Sequence, residues 1–100
     1  MKKQPRTDTL ARLFGVLSDQ TRLKLLTTLQ QEKECNVTEL CRRLRAAQPT
    51  VSHHLGLLRI HGLVRARRDG KQVYYSVDPA NYKRACQAAR ALLSPLGKRS

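Results

Sequence analysis

Three groups of side chains in this chain have chemistry to offer. Cys35, Cys41 and Cys86 are its thiols. As thiolates they are soft donors for arsenite or Zn(II), and as thiols they can be oxidised. His53 and His54 are adjacent in "QPTVSHHLGLL", close to Gln48, Thr50 and Ser52, so short hydrogen-bonding groups dominate that stretch. Arg65, Arg67, Arg68 and Lys71 follow in "RARRDGK", long cations that suit phosphate. No histidine is spaced from an acid and a nucleophile for covalent or acid–base catalysis, and no glycine-rich phosphate loop occurs. An enzyme is therefore the weakest reading.

The charge points to a polyanion. Twenty Lys and Arg residues against seven Asp and Glu give a formal net charge of +13, enough to steer the chain toward nucleic acid over long range. From Leu40 to Arg68 there is no acid, while Arg42, Arg43, Arg45, Arg59, Arg65, Arg67, Arg68 and all three histidines fall in that interval. A charge run is ordinarily a solvated face, but a one-sided run across two helices and a hairpin asks for a partner.

The elements that must position these groups follow from periodicity. One hundred residues with four aromatics and no Trp predict one small, mainly α domain with a core of Leu, Val and Ala. A domain this small buries only about two thirds of its unfolded surface, so self-association would help it. Asp8 or Thr9 can cap a first helix with Leu10, Leu13, Phe14 and Leu17 on one stripe. Ser18 offers the cap of a second helix to about Gln31, with Leu23, Leu26 and Leu29 inward. "QQEKECN" reads as a polar loop that exposes Cys35 beside Lys33. Asn36, with Glu39 three residues on, starts a short third helix with Val37, Leu40, Cys41 and Leu44 inside and Arg42, Arg43 and Arg45 outside.

Pro49 suits the start of a fourth helix to about His61, burying Val51, Leu55 and Leu58 and turning Thr50, His53, Leu57 and Ile60 elsewhere. Gly62 ends it. Asp69-Gly70 is a hairpin turn between two strands, with Val64, Ala66, Val73, Tyr75 and Val77 on the apolar face. Asp78-Pro79 starts a last helix, with Tyr82, Ala85, Cys86, Ala89, Leu92 and Leu93 in a stripe that "SPLGKRS" ends. The order is α-α-α-α-β-β-α, with a flexible basic arm at 1–7, the domain at 8–94 and a flexible tail at 95–100.

Helix, short turn, helix and arginine-edged hairpin make a winged helix-turn-helix. The recognition helix presents Gln48, Pro49, Thr50, Ser52, His53 and His54 to base edges, while Arg59 and the wing residues Arg65, Arg67, Arg68 and Lys71 reach phosphates or a minor groove. Adjacent helix residues point about 100° apart, so His54, next to Val51 and Leu58, also reads as a packing residue. Tyr74 and Tyr75 read mainly as hairpin structure.

The stretches "LFGVLSDQTRLKLLTTL", "VTELCRRLRAAQPTVSHHLGLLRIHGLV" and "RRDGKQVYYSV", in this order across residues 8 to 80, resemble the ArsR/SmtB family of winged-helix repressors. The resemblance implies a homodimer, paired through the first and last helices at Leu10, Phe14, Tyr82, Cys86, Ala89 and Leu93. It also implies a double-stranded inverted-repeat operator and release by an inducer, often a metal or metalloid. The arsenic-responsive branch carries Cys-Val-Cys-Asp-Leu-Cys where this chain has "NVTELC", so only Cys41 matches. Cys35, one residue early, could approach Cys41 only if residues 35 to 37 leave the helix, giving a two-thiol site for As(III) or Zn(II). Cys41 reads first as a small apolar core residue, sharing a face with Val37, Leu40 and Leu44. The family's C-terminal zinc site falls on Pro79, Asn81, Leu92 and Pro95, none a ligand, and its persulfide-sensing pair finds Thr27 at the first position.

Two alternatives stand beside the metal-released repressor. One is a repressor of this type without a metal site, responding to oxidation or a small molecule. The other is a non-specific basic nucleic-acid-binding protein. The odd cysteine count, the absence of a secretion signal and the absence of an 18-residue apolar run lead us to expect a reducing cytoplasm and no membrane.

Overall fold

A computed structural model of the chain describes the backbone of residues 5–98 and the side-chain surroundings of residue 8 and residues 10–92. The elements are α1 (Pro5–Leu17), α2 (Gln20–Glu32), β1 (Cys35–Asn36), α3 (Val37–Leu44), α4 (Gln48–Ile60), β2 (Val64–Asp69), β3 (Gln72–Val77) and α5 (Pro79–Lys98). They form the expected winged helix-turn-helix, with one further strand. Cys35 pairs with Tyr75 and Asn36 with Tyr74, so β1 joins the hairpin in an antiparallel sheet of order β1-β3-β2. Cys35 therefore lies in a strand and is 5% exposed, not in an open loop, because β3 supplies its hydrogen-bonding partner and the core covers its side chain.

Capping chemistry sets most boundaries. Asp19, not Ser18, caps α2: its carboxylate accepts from the Arg22 backbone N–H at 3.1 Å, while the Ser18 hydroxyl donates back to the Gly15 carbonyl at 2.7 Å. A carboxylate satisfies an orphan N–H and complements the positive end of the helix dipole. Asn36 caps α3 as expected, accepting from the Glu39 N–H at 2.8 Å. The Glu39 carboxylate turns to Arg42 instead of closing a capping box. At the end of α4, Gly62 has φ +75°, its N–H donates to Arg59 and the Leu63 N–H donates to Leu58, each at 2.9 Å. This doubly bonded terminus requires the left-handed backbone that glycine supplies.

Two expected ends shift. Helix α1 begins at Pro5, where proline's fixed φ suits a first helical position, and α5 continues past Pro95 to Lys98. A proline removes one backbone bond but holds a helical φ, so it need not end a helix near its terminus. Residues 1–4, 99 and 100 of the expected arm and tail lie outside the described residues.

The core gathers Leu25 and Leu29 of α2, Leu40 of α3 and Val51, Leu55 and Leu58 of α4, all fully buried. Leu23, expected inside, is 45% exposed, and Leu25 takes its place. The stripe of α2 that meets α3 and α4 runs through residues 25, 26 and 29, neighbours on one helix face. Leu63 and Val64 close the core beneath the wing.

Candidate nucleic-acid interface

The turn between α3 and α4 is tight. Arg45 adopts a left-handed backbone, φ 54° and ψ 48°, at the C-cap of α3, a conformation that costs a non-glycine residue about 1 kcal/mol or more. It lets the Ala46 N–H reach the Cys41 carbonyl at 3.1 Å and starts α4 three residues later. The N-cap Ala47 has no side-chain oxygen to offer. The first N–H groups of α4 therefore face outward without a side-chain partner from that residue.

The start of α4 divides cleanly into two faces. Val51, Leu55 and Leu58 are fully buried, while Gln48, Pro49, Thr50, Ser52 and His53 are exposed. Gln48 and Ser52, and Pro49 and His53, are i,i+4 neighbours, so they form one outward row. Arg59 is also exposed, but it lies in the last turn, about 16 Å along the axis from Gln48 at 1.5 Å per residue.

His54 points elsewhere. Its side chain is 15% exposed. Its Nδ1 is 3.1 Å from Arg22 Nη1 and 3.9 Å from the Asp19 carboxylate. The same guanidinium donates from Nε to the Val16 carbonyl at 2.6 Å and from Nη2 to the Gly15 carbonyl at 3.4 Å. The Arg22 backbone N–H, more than the charges nearby, holds the Asp19 carboxyl below the usual range. His53 and His54 meet edge to face with ring centroids 5.4 Å apart. Periodicity separates the two histidines, but Arg22 and Asp19 come from another helix, and no local spacing reveals them.

The wing differs from its sequence reading. The turn is Gly70-Lys71, because Asp69 pairs with Gln72 as the last residue of β2. Gly70 has φ +66° and Lys71 does not adopt a positive φ, which is the hairpin turn with glycine first. Arg65 donates from Nε to Asp78 at 3.2 Å. Arg67 grips Glu34 through two bonds, Nε to Oε2 at 2.9 Å and Nη2 to Oε1 at 2.8 Å, with its guanidinium carbon 5.0 Å from the Tyr74 ring centre. The paired guanidinium holds the Glu34 carboxyl below its ordinary range. Arg68 and Lys71 are exposed at the tip and, among the described residues, have no ion pair. Glu34 is the acid that sequence reasoning passed over; it is brought to the wing by the pairing of the two-residue β1 with β3, which leaves no periodic signal in the sequence.

Of the thiols, Cys35 lies deeper than expected, while Cys41 and Cys86 are half-buried. Residues 35 and 36 lie outside the helix but Val37 begins it, and Cys35 and Cys41 both pack in or against the same core cluster. Burial, followed by the nearby Glu32 charge, pushes the Cys35 thiol up, against a smaller opposing effect of Arg43. This disfavours the thiolate that metal or oxidant needs. Among the described residues no three His, Cys, Asp or Glu side chains are grouped to hold a metal ion. A site at Cys35 and Cys41 would lack a third ligand, so the donor set does not fit a resident metal.

The far side carries the last helix. Leu10, Phe14, Tyr82, Cys86 and Ala89 are half-buried and Leu92 is 50% exposed, while the surroundings of Leu93 lie outside the described residues. A cavity of about 150 Å³ between α2 and α5 is lined by Leu23, Leu26, Thr27, Gln30, Tyr82 and Cys86. Thr27, which with Cys86 lines this cavity, donates its hydroxyl to the Leu23 carbonyl at 2.9 Å. Among the described residues no helix is long and apolar enough to cross a membrane.

A helix-turn-helix with an exposed polar row, followed by a cationic hairpin, defines a winged-helix DNA-binding domain. Residues 19–66 match the family described as bacterial regulatory protein, arsR family. Over 80 residues the chain is 38% identical to a cadmium resistance transcriptional regulatory protein CadC homolog of Staphylococcus aureus, covering 80% of this chain and 66% of that protein. Over 67 residues it is 43% identical to the arsenical resistance operon repressor of Escherichia coli K12, covering 67% and 57%. The solved transcriptional repressor BigR from Xylella fastidiosa superposes with a TM-score of 0.70 at 36% identity, covering 94% of this chain and 91% of that one. The chain belongs to the arsR family, whose members are transcriptional regulators and not enzymes. It spans somewhat less than two thirds of the length of the cadmium and arsenical relatives.

Proposed function

We propose that this chain is a sequence-specific transcriptional repressor that binds an inverted-repeat DNA operator as a homodimer. The observation that carries the reading is the division of α4 into a fully buried face and an exposed row of Gln48, Pro49, Thr50, Ser52 and His53. Short polar groups at the start of a rigid helix suit base edges in the major groove. Arg59, Arg65, Arg67, Arg68 and Lys71 supply phosphate contacts, and His54 supports the helix from behind. The partly covered stripe of α1 and α5, with Leu10, Phe14, Tyr82, Cys86 and Ala89, and with Leu93 further along the α5 sequence, pairs two copies so that two recognition helices enter grooves about one DNA turn apart. The repressor acts in the cytoplasm, where its operator lies.

Fluorescence anisotropy on a duplex from the chain's own upstream region, against a scrambled duplex, tests this. A specific repressor prefers the first by about 10³ or more; equal affinity would leave only a basic protein binding any nucleic acid. Sedimentation in the same buffer should give a dimer.

A thiol-directed inducer is the second reading, favoured by relatives named for arsenical and cadmium resistance and by the shared core location of Cys35 and Cys41. As(III) or Zn(II) would have to open the core to reach Cys35 and find a further ligand, so an oxidant or small molecule stands beside it as inducer. Titrating arsenite, and in parallel zinc, into the reduced protein–DNA complex separates these. Release at stoichiometric reagent, lost in Cys35→Ser and Cys41→Ser, supports the thiol site; undisturbed binding removes it and keeps the repressor.

A further inference from the structure

We propose that Arg22 is a positioning residue for base reading, tying the end of α1 to the recognition helix and, through His54, setting the His53 ring. The inference rests on the proposed role of His53 at the DNA. One guanidinium makes three separate attachments. Two go to the carbonyls of Gly15 and Val16, near the last turn of α1, at 3.4 and 2.6 Å, and the third goes to His54 Nδ1 at 3.1 Å. Arg22 itself is locked at the start of α2, because its own backbone N–H is held by the Asp19 carboxylate. Three helices thus meet on one planar, permanently charged group with fixed donor directions.

The chemistry of the contact fixes the histidine. A guanidinium only donates, so a hydrogen bond from Arg22 requires His54 Nδ1 to accept, against the pull of the Asp19 carboxylate 3.9 Å away, and the contact assigns the Nε2–H tautomer. A ring fixed at one nitrogen cannot flip, and its neighbour packs against it edge to face at 5.4 Å. His53 is exposed and would otherwise choose freely among rotamers. The relay therefore pre-orders a base-reading side chain before DNA arrives, reducing the ordering cost of binding. Because α1 belongs to the stripe proposed to pair two copies, the same attachment links the pairing of the subunits to the orientation of the reading helix.

Two measurements decide it. In the wild-type protein, nitrogen NMR of the imidazoles should show His54 with Nδ1 unprotonated and Nε2 protonated; a proton on Nδ1 would overturn the relay whatever any variant does. Arg22→Lys keeps the charge but loses the fork. The ratio of operator to random affinity should fall about tenfold, with random-DNA affinity changed by less than about twofold, and adding His53→Ala should lower the ratio little further, since coupled residues are non-additive. Additive losses, with His53→Ala alone lowering the ratio, would overturn the relay and leave base reading intact. No loss in His53→Ala alone would overturn both.

Discussion

The reading face of α4 and the cationic face of the wing sit side by side and are built in opposite ways. On α4 the outward residues Gln48, Thr50, Ser52 and His53 are exposed with no side-chain hydrogen bond or ion pair among the described residues, and fixation comes from behind, through Val51, Leu55, Leu58 and the Arg22-held His54 that the His53 ring meets edge to face. On the wing two of the functional side chains are themselves occupied: Arg65 by Asp78 and Arg67 by Glu34. A base-reading group gains from being rigid and free of internal competition, since each lost or misplaced hydrogen bond costs discrimination. A phosphate-binding cation tolerates an internal acid, because exchanging a carboxylate for a phosphate keeps its charge paired. On the proposed function, the wing would tune how tightly DNA is held and α4 would decide which DNA is held.

The largest effect should come from removing the support behind α4. Leu55→Ala opens a cavity in a fully buried site and should cost about 2–5 kcal/mol of stability in urea unfolding; a loss under about 1 kcal/mol would mean the helix is not held by that face. Thr50→Ala or His53→Ala should then lower operator preference by about 1–3 kcal/mol with an unchanged salt slope. On the wing, Arg68→Ala should weaken operator and random DNA alike and reduce the salt slope by about one.

Glu34→Gln goes the other way. By freeing Arg67 it should strengthen both kinds of binding, and a fall in affinity would show that the ion pair shapes the wing instead of restraining it. The smallest effect is acid sensitivity. Glu34 is held below its ordinary range by its bonds to Arg67, so its contribution is complete above the unfolded carboxylate value of about 4.3 and is lost as pH falls through the lower folded value. Urea midpoints should be insensitive to this group between about pH 6 and 8, and Glu34→Gln should flatten the decline below about pH 4.

The same contrast governs what could be read from the sequence. The buried face of α4 was legible because Val51, Leu55 and Leu58 recur at helical spacing and only one face of the helix can hold them. In α2 leucines at 23, 25, 26 and 29 leave the inner face open, and the choice of Leu25 over Leu23 is made by α3 and α4. The hairpin faces survived a misplaced turn. An Asp69-Gly70 turn would pair Ala66 with Val73, whereas Ala66 meets Tyr75; the shift is two residues, one strand period, so no side chain changes face. Strand β1 was invisible because two residues have no period, and its pairing partner lies about forty residues on. That pairing puts Cys35 in the core instead of an open loop and sets Glu34 against Arg67. Of the candidate interface, the exposure of Gln48, Thr50, Ser52 and His53 on one face of α4 was legible from type and spacing; the groups packed beside or behind the candidate residues, Glu34, Asp19 and Arg22, arrive through tertiary contacts that no local pattern encodes.

The most direct test is the salt dependence of anisotropy-measured affinity for operator and random duplexes, in Thr50→Ala and Arg68→Ala beside the unsubstituted chain. The division of labour predicts that Thr50→Ala lowers the operator-to-random ratio and keeps the slope, while Arg68→Ala keeps the ratio and lowers the slope by about one. If both variants change ratio and slope together, helix and wing do not divide the work, and the account is wrong.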